Sequence, residues 1–321
     1  MRCLILSCAL LIAPAIACAQ QAPGKVARVG LLGVTSEEGY ARQIRSLRQG
    51  FRDLGYVEGQ NIVIEYRWAQ GRYDRLPALA AELIRLQPDV IITSGPGTRV
   101  LKDATAAIPI VMAVGGDAVA SGLVASLPRP GGNVTGSTFF GPELSAKRLE
   151  LLKEAVPRLT RVAILLNPGG DHRADLEKTK EAAAALNIQV FEAPARSPAE
   201  FDDAFALALR QRADGIVCLS DSMFVANMRL LGELSAAKGL PGAGSDEFAQ
   251  GGGLLAYGVS FPDLWRRAPY FVDKILKGNK PAVIPVERAS KFELILNLRT
   301  AKAMGLPIRQ SLQTRADQII E

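Results

Sequence analysis

The chain has 321 residues, with 38 Lys and Arg against 32 Asp and Glu for a formal charge of +6, and 48% of it is hydrophobic. At roughly 150 residues per domain this length accommodates two domains, and the apolar content excludes a disordered or fibrous protein. A single histidine, His172, removes most histidine-based metal sites and histidine-dependent triads.

The N-terminus carries Met1-Arg2, an apolar run from Cys3 to Ala13, and Ala17-Cys18-Ala19. A positive charge, a short apolar core and a small-residue cleavage site are the parts of a secretory signal, so residues 1–19 are expected to be removed on export. Pro14 interrupts the run, which is shorter than the ~20 apolar residues of a spanning helix. Ala15-Ile16-Ala17-Cys18 also resembles a lipobox, but Ala15 stands where Leu is usual, so lipidation of Cys18 is the lesser expectation. Three of the four cysteines fall in this leader. The fourth, Cys218, lies in the run Ile216-Val217-Cys218-Leu219 and reads as a small buried hydrophobe. One thiol leaves no internal disulfide.

Beyond the leader, apolar runs alternate with amphipathic helical patterns. Val29–Leu32, Ile62–Tyr66, Asp89–Thr93 and Ile108–Met112 read as strands, as do Val162–Leu166, Ile188–Phe191 and Gly215–Leu219. The continuous runs lack the alternation of a half-exposed strand and fit a buried parallel sheet. Tyr40, Ile44, Leu47, Phe51 and Leu54 form one helical stripe; Leu76, Leu79, Leu83 and Leu86 form another. Ser197-Pro198-Ala199-Glu200 is a capping-box pattern predicting a helix through Phe201, Phe205 and Leu209. One strand–helix series opens at Arg28 and a similar one at Arg161, which predicts two α/β lobes in tandem.

Ligands of open parallel sheets bind beyond the carboxyl ends of the strands. The segments expected there offer Thr35, Ser36, Ser94, Gly95, Gly97, Thr98, Asn167 and Ser222 as polar or close-approach contacts for a small solute. Ser94 to Thr98 opens a helix whose amides attract a carboxylate, but no dinucleotide fingerprint is present because its third glycine would fall at Val100. Asp117 and Asp221 can accept from an ammonium or hydroxyl, with helix N-capping the equal alternative. Trp68 and Tyr257, at strand ends, can stack on a ligand or serve packing. His172, after Asp171 at a helix start, is expected to be a solvated cap-region residue.

There is no P-loop, GxSxG elbow or HExxH, so neither catalysis, a metal nor a cofactor is expected. Cations are scattered, with small clusters at Arg266-Arg267 and Lys274 to Lys280, and nucleic acid is not an expected partner.

Several segments together carry a family resemblance. They are Gly50 to Asn61 (Gly-Phe-Arg-Asp-Leu-Gly-Tyr-Val-Glu-Gly-Gln-Asn), Glu65 to Ala69, and Arg72 to Pro77. Gly122 to Leu127, Pro130 to Gly136, Lys147 to Leu152, Leu276 to Gly278 and Lys291 to Asn297 extend it. From Val26 onward the chain resembles ABC-transporter substrate-binding proteins of the tryptophan/tyrosine-binding-like group. The resemblance implies a type I periplasmic-binding-protein fold of class α/β, with two parallel-sheet lobes joined by crossover hinge strands. It places lobe 1 at 26–137 plus 259–282 and lobe 2 at 138–258 plus 283–321, with Gly136-Ser137, Gly258 and Pro285 as hinge candidates. The function implied is that of a monomeric periplasmic receptor, which captures a small polar solute such as an amino acid and delivers it to an ABC permease. A sensing module for a membrane kinase is the alternative, and an exported α/β enzyme using Asp221 or Asp171 a more distant one.

Overall fold

The structure is a computed structural model and describes residues 26–321. The expected leader, with Cys18 and the cleavage site, lies outside the described residues. Thirteen strands are present among them: β1 (Ala27–Gly33), β2 (Ile62–Trp68), β3 (Val90–Ser94), β4 (Ile110–Gly115), β5 (Val134–Thr138), β6 (Arg161–Leu166), β7 (Gln189–Pro194), β8 (Gly215–Cys218), β9 (Gly242–Gly244), β10 (Leu255–Gly258), β11 (Glu287–Arg288), β12 (Glu293–Asn297) and β13 (Gln318–Ile320). They form two sheets, ordered β11-β5-β4-β3-β1-β2 and β13-β12-β10-β9-β8-β6-β7.

Every pairing in the first sheet is parallel. The second departs from the expected all-parallel arrangement at one place, where β10 and β12 run antiparallel. The chain enters β12 from the first lobe, by a crossover instead of a covering helix, and this permits the reversed direction.

Alternation along the strands divides each core. In β6, Val162, Ile164 and Leu166 join Leu149 and Leu152 of the helix Gly141–Ala155, whereas Ala163 and Leu165 join Phe201 and Phe205 of the helix Phe201–Arg210. In β1, Val29 and Leu31 face the helices Ala41–Asp53 and Phe261–Leu276, while Leu32 packs with Leu79 and Leu83 of the helix Leu76–Arg85. Helices thus cover both faces of each sheet. Leu54, expected to continue the first stripe, is 41% exposed because that helix ends at Asp53. The helix at 201 starts as a 3-10 turn, Pro198–Glu200. Ser197 makes no capping bond; Glu200 instead accepts from the Arg196 N–H at 3.0 Å.

The chain passes between the sheets at 139–140, 259–260 and 289–292. The last passage corrects the expected boundary at 283. Val286 donates to the Leu127 carbonyl and β11 pairs with β5, which keeps the chain with the first sheet as far as Arg288. Rings bind the crossovers together: Phe139 meets Phe261 edge-on at 5.8 Å, and Tyr257 stacks on Phe292 at 6.2 Å.

The helix Phe261–Leu276 returns to the first lobe and crosses the helix Ala41–Asp53 at Gly50. A Cβ added there would lie 2.2 Å from the Arg266 carbonyl oxygen. Backbone cannot yield as a flexible side chain can, so Gly50→Val is expected to cost about 1–3 kcal/mol by overpacking. Gly132→Ala, where an added Cβ meets nothing within 4 Å, should stay within about 0.5 kcal/mol of the parent. Denaturant midpoints of the two variants check this.

Candidate functional site

A cavity of about 910 Å³ lies between the lobes, at the carboxyl ends of both sets of strands. Its first-lobe wall carries four buried rings, Tyr40, Phe139, Phe261 and Trp265, all at or below 5% exposure, beside polar groups that include Gln43, Ser94, Arg99 and Asp117. Tyr40 meets Trp265 edge-on at 5.3 Å, and its hydroxyl shares a 3.1 Å hydrogen bond with Ser94 Oγ. Burial pushes the Tyr40 phenol above its ordinary range. The helix Phe261–Leu276 begins immediately beyond β10, where Ser260 Oγ accepts from the Asp263 N–H at 3.3 Å. That cap sets Phe261 and Trp265 against the cavity.

The second-lobe wall is acidic. Asp171, Asp175, Glu177 and Asp221 line it, with Arg173 and His172 among them. Arg173 is held by Asp171 at 3.0 Å. Asp175 accepts from Ser145 Oγ at 3.2 Å, and burial raises its pKa, opposed by the charges of His172 and Arg148.

Asp221 is the most densely bonded group of the site. At 5% exposure it accepts from the Met223 N–H at 2.9 Å and from Asn167 Nδ2 at 3.3 Å. The Tyr73 hydroxyl reaches it from the first lobe, 2.8 and 2.9 Å from its two oxygens. Burial, then the Asp221 charge, push the Tyr73 phenol far above its usual range, so it remains a donor. His172 Nε2 lies 3.4 Å from Asp221 Oδ2 without hydrogen-bonding alignment, a charge pairing rather than a bond. Burial disfavours the imidazolium, but the adjacent Asp221 carboxylate, with Asp175 and Asp171, outweighs it and raises the His172 pKa above 6.5.

Beneath this wall Arg148 is fully buried. Its Nε donates to the Tyr257 carbonyl at 2.8 Å, and Nη1 to the Cys218 carbonyl and Ser220 Oγ at 2.9 and 3.1 Å. It thereby ties β8 to β10. Burial lowers the guanidinium to about 10 and pushes the Cys218 thiol up to about 12, so the cysteine is the inert core group its sequence context predicts.

The lobes touch at further points. Gly95, at φ +52°, is so close to the second lobe that an added Cβ would lie 2.5 Å from Ser222 Oγ. Arg42 Nη1 reaches Asp246 at 2.6 Å and Glu247 at 3.0 Å across the divide.

Of the residues expected from sequence, Ser94, Gly95, Asp117, Asp221 and Ser222 line the cavity. Asp117 also caps a turn, accepting from the Val119 and Ala120 N–H groups. Thr35, Ser36, Trp68, Gly97, Thr98, Asn167 and Tyr257 lie outside the lining. Ser36 Oγ accepts from the Gly39 N–H, and Gly97 packs on Thr93. Thr35 and Thr98 are buried, and Asn167 acts through Asp221. Trp68 stacks on Tyr66 at 5.9 Å and Tyr257 on Phe292, so both rings serve packing. His172 is a correction: far from solvated, it is 8% exposed, because the Gly170 backbone and the Asp221 loop cover it. The aromatic wall, Tyr73 and Asp175 were not anticipated. Ser260-Phe261, a capping residue directly after an apolar run, was the one local signal for part of that wall.

The sequence model described as "ABC transporter substrate binding protein" matches residues 28–320. The chain belongs to that family. Its fold is the type I periplasmic-binding-protein fold. A curated relative, the "Tyrosine-binding protein" of Clostridioides difficile (strain R20291), is 26% identical over 286 residues, covering 88% of this chain and 82% of its own. A solved ABC domain in complex with L-Trp from Streptococcus pneumonia superposes with a TM-score of 0.82 at 24% identity, over 92% of this chain and 99% of that one. A conserved domain protein from Vibrio cholerae gives 0.82 at 26% identity, over 92% and 100%.

Two outcomes follow from the Asp221 cluster. Tyr73→Phe removes the phenol that the first lobe lends to Asp221, and small-angle scattering should show a larger radius of gyration as open forms gain population. The raised His172 pKa makes its pairing stabilising below 6.5, and that contribution is lost as pH rises through the folded-state value. The thermal midpoint of the parent should therefore exceed that of His172→Gln most below 6.5, with the gap narrowing at higher pH.

Proposed function

We propose that the protein is the capture component of an ABC importer, which closes its lobes on an aromatic amino acid or a close zwitterionic relative. The observation that carries this reading is the pairing of walls in one interlobe cavity. Tyr40, Phe139, Phe261 and Trp265 form an apolar, ring-matched surface opposite the carboxylates Asp171, Asp175 and Asp221. A ring beside edge-on aromatic neighbours gains about 0.5–1.5 kcal/mol per pair beyond its buried area. An ammonium group is favoured by the acidic wall, and a carboxylate by the N-terminal end of the helix Pro96–Ala104 on the opposite lobe. Gly116, with open space about its α-carbon, leaves room for the ligand on the first-lobe side.

The tyrosine-binding relative and the L-Trp complex support the solute class. Export fits the leader read at 1–19, and among the described residues no helix is long and apolar enough to cross a membrane. In this reading the protein works as a monomer, and its closed form is what the permease recognises. The three crossovers supply the hinge, with Gly136-Ser137 and Gly258 on the strands that enter the first two; Pro285 lies before β11, within the first lobe, and is not part of the hinge.

Titration calorimetry against L-tyrosine, L-tryptophan, aliphatic amino acids and sugars tests the proposal. One-site binding of an aromatic amino acid is expected, weakened tenfold or more by Trp265→Ala, about 1.4 kcal/mol or greater. Heat from a sugar alone, with every amino acid silent, refutes it.

A further inference from the structure

One group on the acidic wall can change charge near neutral pH. His172 is the chain's single histidine, lines the cavity, and sits at the start of the helix Arg173–Ala185. A Cβ added to Gly170 would lie 2.6 Å from His172 Nε2 and 3.2 Å from Asp221 Oδ2, so that backbone covers the pair. Nε2 is buried and has no hydrogen-bond partner among the described residues.

Charged groups face it from each element around it. Asp171 comes from its own loop, already engaged by Arg173, and Asp175 from the next turn of its helix. Asp221 comes from the loop after β8 and is shared with Tyr73 of the opposite lobe. Arg148, on the helix Gly141–Ala155, acts on Asp175 from behind. Arg99 and Asp117 line the same cavity from the first lobe. The imidazolium is therefore the cation beside Asp221 and Asp175, carboxylates that an entering ammonium would also seek. Two cations cannot share so buried a carboxylate as Asp221 without repulsion.

We infer that His172 is a specificity residue that exchanges its proton for the ligand's ammonium, so that the cleft binds an amine-bearing solute with proton release and more tightly at neutral than at mildly acidic pH. This rests on the proposed ligand class. The carboxylates hold the His172 pKa above 6.5 despite burial, which keeps a proton available for release. Reciprocity requires that the ligand lower the His172 pKa by the factor through which the proton weakens the ligand.

The test is calorimetry on the untagged full chain with L-tyrosine and L-tryptophan, between about pH 5.5 and 8, in buffers of different ionisation enthalpy. Binding should release up to about half a proton at the His172 midpoint of the free protein and approach one below it, where Kd should weaken by about tenfold per unit of acidification. In His172→Gln the dependence should be flat. The single-histidine C2–H resonance in proton NMR gives the same readout without a substitution: its titration midpoint should fall when the protein is saturated with L-tyrosine or L-tryptophan. Binding that is tighter in acid, binding without proton release, or an unshifted midpoint overturns the inference and leaves the amino-acid reading standing. Silence with both amino acids at every pH removes that reading, and the inference with it.

Discussion

A carboxylate buried to 5% exposure must be compensated or its ionised form becomes costly, and the arrangement around Asp221 follows from that requirement. Its oxygens take a backbone N–H from Met223, an amide from Asn167 and the charge of His172 within its own lobe. The strongest neutral donor, the Tyr73 hydroxyl, comes from the other lobe. Separation of the lobes would exchange that phenol for water, while the local partners would remain. Asp221 thus stays held by its own lobe when the Tyr73 contact is broken, and the Met223 N–H, which also reaches the Tyr73 hydroxyl at 3.3 Å, keeps its bond to Asp221. The phenol, pushed upward by burial and by the carboxylate it faces, does not ionise at ordinary pH. The phenol thus remains a donor, and the neighbouring imidazole is the group whose charge changes near neutral pH.

The second buried charge serves a different end. Among the described residues Arg148 pairs with no carboxylate; carbonyl oxygens at the ends of β8 and β10 accept its protons. Strand ends beside a cavity leave carbonyls with no onward partner, and a guanidinium with several fixed donors suits them better than a flexible ammonium. Even lowered to about 10, it stays charged at neutral pH. Because it also donates to Ser220 Oγ, a guanidinium beneath the wall helps hold a side chain that lines the cavity.

The parts of this architecture that were legible in the sequence are those with local causes. Continuous apolar runs placed β1, β3, β6 and β8, and helical stripes placed the helices over them, because periodicity depends on nearby residues alone. The antiparallel β12 and the late crossover after Arg288 depend on which edge a distant segment finds, and no local pattern records that. The candidate site divides similarly. Ser94, Gly95, Asp117, Asp221 and Ser222 follow from the rule that ligands meet strand ends. Trp68 and Tyr257 satisfy the same rule, yet Trp68 stacks on Tyr66, its neighbour two residues back on β2, and Tyr257 stacks on Phe292, a partner that only the folded chain supplies. His172 looked solvated because its sequence neighbours are polar, and its burial comes from the Asp221 loop closing over it.

The aromatic wall lies against the crossovers themselves, since Phe139 stands in the first and Phe261 opens the helix that follows the second. Under the proposed function, a ligand ring lodged there would touch the hinge, while the ammonium of the same molecule would meet the second lobe. A ligand that contacted one lobe alone would bind the open and closed forms equally, and so would shift neither population however tightly it bound. Selectivity and closure then draw on the same contacts. A solute lacking the ring forgoes the hinge side, and one lacking the ammonium forgoes the acidic wall. Either deficiency weakens the difference in affinity between the two forms, the quantity on which closure depends.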